Sequence, residues 1–280
     1  MVKNKNNLLE IEKIIKSEKK CLAMIAPSFI TDFKYPSIIN QLKELGFDKV
    51  VELTFGAKMI NREYHRKLKK TKKLLISSTC PGITTYIENN FPEYKNNIIR
   101  IDSPMIAMAK ISKKIYPNHK IFFISPCNFK KIESQNKKEI DYIIDFHQLK
   151  ELFKKNNIYE NNKKIQFDKF YNDYTKIYPL SGGLYHTAHI KGILNKNQVK
   201  IIDGIEKLNK FLKKPNKNIL FLDCLFCQGG CIGGPHTNQE ITINQKKKLI
   251  NKYLKLAKKE DIPESKKGLL RCAKEIDFKY

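Results

Sequence analysis

Short apolar runs closed by Pro, Ser, Gly or Asn alternate with stretches whose apolar residues recur at helical spacing, and this rhythm predicts strands and helices in turn. Residues 1–20 read as an N-terminal helical extension with Leu8, Leu9, Ile11, Ile14 and Ile15 on one face. A buried strand follows at 21–26, ending in Pro27 and Ser28, then a helix at 37–45, a strand at 48–54, a helix to residue 70 and a strand at 73–78. Beyond Cys80 come a helix to Asn90, a helix across 105–116, strands at 120–125 and 142–146, and a helix over 148–155. The Lys/Asn-rich stretch 154–164 reads as an exposed loop. Ser181, Gly182 and Gly183 open a helix to Ile193. A strand at 199–202, a helix at 204–212, a strand at 218–222 and a polar helix at 244–258 complete the pattern. No internal repeat or clean linker divides it. Strands alternating with helices predict the α/β class, with a parallel or mixed sheet covered on both faces.

At 280 residues the chain can bury one large core or two modest ones. Its formal charge of +26 invites a nucleic-acid reading. The lysines, however, lie in short scattered runs at 67–73, 207–217 and 246–259 with no DNA- or RNA-binding motif among them, as in a generally basic surface. An acidic electron-transfer partner would suit that surface. No apolar run is long enough to span a bilayer. Seven cysteines, an odd number without a signal peptide, argue against a disulfide framework and for a reducing, cytoplasmic setting.

Three of those cysteines, Cys224, Cys227 and Cys231, crowd into one Gly-rich segment that ends at Pro235. Soft thiolate sulfur selects zinc, copper(I) or iron-sulfur clusters, and the C-x2-C-x3-C spacing does not settle which. Cys80 and Cys127 lie at the ends of apolar runs beside Pro81 and Pro126, where α/β folds gather ligands. Cys80, Cys127, Cys227 and Cys231 together would give the four thiolates that a 4Fe-4S cluster requires. Against this stands the ordinary behaviour of free cysteines as small buried hydrophobes.

From residue 20 onward the motifs resemble the catalytic domain of iron-only (FeFe) hydrogenases, whose signatures take the forms T-S-C-C-P, P-C-x-x-K-x-x-E and C-x-x-x-C-x-x-G-G-G. They appear here, in the same order, as Ser78-Thr79-Cys80-Pro81, as Pro126-Cys127 with Lys130 and Glu133, and as Cys227 and Cys231 followed by Gly233, Gly234 and Pro235. Ala26-Pro27-Ser28, Phe55-Gly56-Ala57, Ser103-Pro104-Met105 and Ser181-Gly182-Gly183 are similar to family loops between them. The resemblance implies one domain over 1–280 made of two intertwined α/β lobes, four-stranded in the family, with the cluster in the cleft between them. It implies that Cys80, Cys127, Cys227 and Cys231 hold a 4Fe-4S cubane, and that Cys231 bridges it to a two-iron subcluster with CO and CN ligands. Lys130, Ser28, the backbone of Ala26 and Pro27, and Pro126 would surround that subcluster. Maturation proteins and a separate redox partner such as an acidic ferredoxin are implied as partners.

The departures concern turnover. The family's proton-donating cysteine is Thr79 here, and a hydroxyl is a far poorer acid than a thiol. Two glutamates and a serine of the family's proton route correspond to Tyr64, Lys67 and Ile99. Two methionines that pack on the two-iron unit are replaced by Ser125 and Leu225, and no C-x2-C-x2-C-x3-C run of a ferredoxin-like module is present. Slow hydrogen chemistry, or a hydrogen-sensing or regulatory role in its place, is the expected function. A cubane-only electron-transfer or cluster-handling protein and a zinc-stabilised nucleic-acid-binding protein are the alternatives. Cys224 stays open between an extra ligand and a small strand-end residue, and His236 between a substitute proton carrier and a bonded turn residue. Cys21 and Cys272 read as structural.

Overall fold

The amphipathic stretch near the amino terminus forms α1 (Leu8–Ile15), and the first apolar run forms β1 (Cys21–Ile25), in a computed structural model that describes residues 7–135 and 137–280. Next come α2 (Ser37–Leu45), β2 (Lys49–Glu52), α3 (Thr54–Leu68), β3 (Leu75–Ile76) and α4 (Pro81–Asn90). They are followed by α5 (Pro104–Ile115), β4 (Lys120–Ser125), α6 (Asn128–Ser134), β5 (Tyr142–Asp145) and α7 (Phe146–Lys155). The last part carries α8 (Gly183–Thr187), β6 (Val199–Asp203), α9 (Ile205–Lys213), β7 (Phe221–Leu225) and α10 (Ile243–Ala257).

The strands sort into two sheets, ordered β2-β1-β4-β5 and β3-β7-β6, and every pairing within them is parallel. The second sheet has three strands where the resemblance implied four; a single bridge from Ile98 to Ile76 marks the place of another. Because β3 interrupts the strands of the first sheet, the chain passes from one lobe to the other and back. Parallel strands buried on both faces favour continuous apolar sequence, which is why β1 and β4 are legible as runs rather than alternations.

One core joins the lobes. It runs from Met24, Ile121 and Phe123 of the first sheet, through Met59 of α3 and Met105 of α5, to Leu75 and Phe221 of the second. The opposite face of the first sheet packs on α1, α2 and α7, and the outer face of the second on α4 and α9.

Of the expected N-terminal extension, Leu8–Ile15 is helical and buries Ile11 and Ile15, while residues 1–6 lie outside the described residues. The helix expected to reach Ile193 ends at Thr187, since His189 adopts a left-handed φ of 54° that an α-helix does not tolerate. The final strand lies three residues later than its expected span of 218–222, which places Cys224 inside it.

Candidate metal centre

Cys80, Cys127 and Cys227 each lie just beyond the carboxyl end of a parallel strand, where an open α/β sheet presents its ligands. β3 leads through Ser77, Ser78 and Thr79 to Cys80, which caps α4, and β4 leads through Pro126 to Cys127, which caps α6. β7 leads through Phe226 to Cys227, and a tight loop continues to Cys231 at the start of a 3-10 turn, Cys231–Gly233. Cys127 thus comes from the first lobe and the other three from the second. The turn Pro27–Thr31 after β1 touches the Cys231–Gly233 turn and brings Ala26, Pro27 and Ser28 to the same region.

One aromatic wedge locks three of these segments together. The Phe129 ring lies so close to Gly82 that a Cβ there would stand 2.7 Å from ring carbons, and the ring also packs on Phe226, with ring centroids 4.8 Å apart. Gly82, Phe129 and Phe226 neighbour Cys80, Cys127 and Cys227 in sequence, so this packing holds the three thiols in register. The fourth is braced differently: Gly230 takes a φ of 86° with the Pro179 carbonyl against its Cα, and the same carbonyl accepts a 2.8 Å hydrogen bond from the Cys231 amide.

The thiols sense one another electrostatically. Burial, then the charges of Cys80, Cys127 and Cys227, push the Cys231 thiol well above its ordinary range, while Lys130 opposes them. Cys227 is pushed up to about 12, by burial first and then by Cys127 and Cys80. Cys127 is raised by burial and by Cys80, against Lys130 and the amides of Lys130 and Phe129 that stabilise its thiolate. The raised thiols of Cys127, Cys227 and Cys231 favour their protonated forms until a strongly cationic group replaces the protons.

Their spacing limits what that group can be. Among the described residues no three cysteine sulfurs lie within 4.8 Å of one another. A tetrahedral zinc ion with Zn–S bonds of about 2.3 Å would hold its sulfurs about 3.8 Å apart. As placed, the sulfurs do not form the ligand shell of a single zinc ion, and soft thiolate donors suit an iron-sulfur group. One buried hydroxyl nearby, Ser28 Oγ, has no hydrogen-bond partner among the described residues. Tyr178 faces Thr79 and feels the Cys231 charge. A buried hydroxyl left unbonded costs about 1–3 kcal/mol, and a polar group held against Ser28 would relieve it.

Lys130 lies beside Thr79 and is largely withdrawn from solvent. Its side chain is 13% exposed, pairs with Glu133 at 2.6 Å and lies 3.4 Å from the Thr79 carbonyl. The lysine and glutamate of the second motif are thus paired with each other. Ser125 Oγ accepts the Cys127 amide at 3.1 Å and shapes the turn that Pro126 begins. Thr79 is buried. The positions of the proton route hold a buried Tyr64 bonded to Ser78 at 2.9 Å, an exposed Lys67 and a buried Ile99.

Cys224 is buried in the outer core of the second sheet, against which Cys80 also packs, with its sulfur 3.8 Å from Ser77 Oγ. Cys21 is buried in the first lobe's outer core and Cys272 packs at the edge of the shared core. A separate cavity of about 820 Å³, lined by Arg62, His65, Tyr171, His189 and Glu260 among others, contains none of the cysteines. Phe129, Tyr178 and the Pro179 brace were not singled out in the sequence. Phe129 occupies a variable position of its motif, and the other two lie about fifty residues from the nearest cysteine, so only topology reveals them.

Comparison with known proteins agrees with this picture. Residues 19–235 match the family described as iron only hydrogenase large subunit, C-terminal domain. The chain is 26% identical over 300 residues to iron hydrogenase 1 of Clostridium pasteurianum, covering 85% of this chain and 52% of that protein. It is 24% identical over 271 residues to NADP-reducing hydrogenase subunit HndD of Solidesulfovibrio fructosivorans, covering 74% and 46%. The chain thus spans about half the length of the curated relatives it matches. A variant of the FeFe hydrogenase of Chlamydomonas reinhardtii superposes with a TM-score of 0.66 at 16% identity, covering 96% of this chain and 92% of that one. An FeFe hydrogenase structure describing stepwise H-cluster assembly gives 0.65 at 15%, covering 96% and 91%. At these identities the structural likeness shows the fold alone.

Proposed function

Because the chain belongs to the family of C-terminal domains of the iron-only hydrogenase large subunit, we propose that it is an iron-sulfur protein in which Cys80, Cys127, Cys227 and Cys231 hold a 4Fe-4S cubane. A two-iron subcluster with CO and CN ligands would adjoin Cys231. Such a group, when bound, supplies electron storage and a site for hydrogen. The observation that carries the proposal is the convergence of four coupled thiols, drawn from both lobes and spaced too widely for one metal ion. In this reading the Lys130 ammonium and the Ser28 hydroxyl, with the backbone of Ala26 and Pro27, hold the anionic ligands of the subcluster, and Pro126 packs beside them.

The residues that would move protons favour sensing or regulation over rapid turnover. Thr79 offers a hydroxyl in place of a thiol, and Tyr64 and Ile99 offer no carboxylate or serine behind it. Ser125 and Leu225, in place of two methionines, favour the second reading, a cubane-only protein in electron transfer or cluster handling. Electrons would come from a separate partner such as an acidic ferredoxin attracted to the basic surface, in the cytoplasm, after loading by maturation proteins. No helix among the described residues is long and apolar enough to cross a membrane.

The test is anaerobic purification with iron and sulfide analysis, followed by infrared spectroscopy. About four irons with matching sulfide per chain are expected for the cubane, and CO and CN stretching bands for the two-iron unit after maturation. Zinc in place of iron would sink the proposal, and iron without those bands would leave the cubane-only reading. In matured protein, Thr79→Cys should raise hydrogen/deuterium exchange by 10-fold or more, within the roughly 10²–10⁴ contribution of a positioned acid. An unchanged rate would place the limitation elsewhere.

A further inference from the structure

Outside the cysteine group, the described residues contain one trio of metal-ligand type: Asp145, His147 and His236, whose ligand atoms all lie within 4.8 Å of one another. Asp145 is the buried residue that ends β5 and caps α7, and His147 is exposed on the first turn of α7. His236 follows directly after the third cysteine motif, and its ring lies 5.2 Å from that of His147.

The hydrogen bonds define the state of His236. Its Nε2 lies 2.6 Å from Asn128 Oδ1, which can only accept, so Nε2 carries the hydrogen and Nδ1 presents a lone pair. That Nδ1 is buried without a hydrogen-bond partner among the described residues, and it faces Asp145 Oδ1 at 3.6 Å. Asp145 keeps its capping bond from the Gln148 amide, and Lys131 occupies its other oxygen at 2.6 Å. With the ring neutral, two lone pairs face each other across 3.6 Å and repel unless a proton or a metal cation lies between them. The separation is close to the roughly 3.3–3.4 Å expected for two ligands at about 2.0–2.1 Å from a tetrahedral ion.

We propose that Asp145, His147 and His236 form a second metal site, which takes a single divalent cation of the zinc class through one carboxylate oxygen and two imidazole nitrogens. The donor set is nitrogen and oxygen, suited to zinc, cobalt or iron(II) rather than copper(I). Asn128 orients the His236 ring as an outer partner, and Lys131 remains on the free carboxylate oxygen. The cation ties the β5–α7 corner to the loop leaving Cys231. Because the His236 amide bonds the Pro126 carbonyl at 3.3 Å, the turn that carries Cys127 is held between the two.

The test is cobalt(II) titration of the full-length protein as isolated. One equivalent should bind with the weak visible bands of nitrogen and oxygen coordination, without sulfur-to-cobalt charge-transfer absorption, and zinc should displace it. His147→Ala, a change at an exposed position, and His236→Gln should each weaken that binding by roughly 100-fold, and Asn128→Ala by about 10-fold, with circular dichroism unchanged. Binding that shows only sulfur-to-cobalt absorption, or visible bands that survive both histidine substitutions, would overturn the proposal.

Discussion

At the scale of single residues, the least conspicuous member of the first motif carries much of the geometry. Gly82 admits the Phe129 ring, which also packs on Phe226 and so has neighbours to disturb if it moves. Gly82→Ala should therefore destabilise the protein by about 1–3 kcal/mol, as overpacking does, and lower the iron retained per chain. Adding Phe129→Leu should recover part of both. A thermal melting curve and iron content of the single variant equal to wild type would remove the wedge from the account. The four thiols of the proposed ligand set could be picked out in the sequence because motif order and soft-ligand chemistry both pointed at them. Cys224 was not resolved until the strand register placed it on the outer face of β7. A one-residue change of phase separates a thiol that faces the core from one that faces a site.

At the scale of elements, β1 and β4 were legible because parallel strands buried on both faces are written as unbroken apolar runs. α6 was not, since its seven residues offer no helical period to detect and only Ser134 is buried. α1 shows the opposite case, an amphipathic extension that is structurally integrated. Ile11 and Ile15 enter the first lobe's outer core, and Glu12 bonds Lys155 of α7 at 2.6 Å and Lys16 at 2.9 Å. The hydrogen bonds from Lys155 and Lys16 hold the Glu12 carboxyl down at about 2, against 4.5 unperturbed. A depressed folded-state value stabilises the protein above the unfolded value, and that contribution is lost as pH falls from 4.5 towards 2. Glu12→Gln should cost about 1 kcal/mol at neutral pH after screening, and the difference from wild type should vanish in strong acid. Urea unfolding at several pH values reads this directly, and a difference independent of pH would assign the loss to packing instead.

At the scale of the whole molecule, one buried ion pair connects the first lobe to the brace behind Cys231. Lys176, fully buried, pairs with Glu52 at the end of β2 and lies 2.8 Å from the Tyr253 hydroxyl of α10, which itself lies 2.9 Å from the Glu52 carboxylate. The ammonium also lies 4.8 Å from the Tyr171 ring centroid and 4.5 Å from that of Tyr253. Lys176 belongs to the turn Tyr174–Ile177, which runs directly into Tyr178 and Pro179, the residues that face Thr79 and hold the Cys231 amide. Taking both charges out of water is costly, so the pair adds little net stability compared with apolar residues of the same volume; removing one partner strands the other. Glu52→Gln should therefore cost about 3–5 kcal/mol, and Glu52→Gln with Lys176→Met should cost clearly less than the glutamate change alone. If the network also positions the brace, iron retention should fall in the single variant and recover in the double one, measured against a variant of equal stability altered far from the cysteines. A double variant no more stable than Glu52→Gln would show that the buried charges are not what the single substitution disturbs.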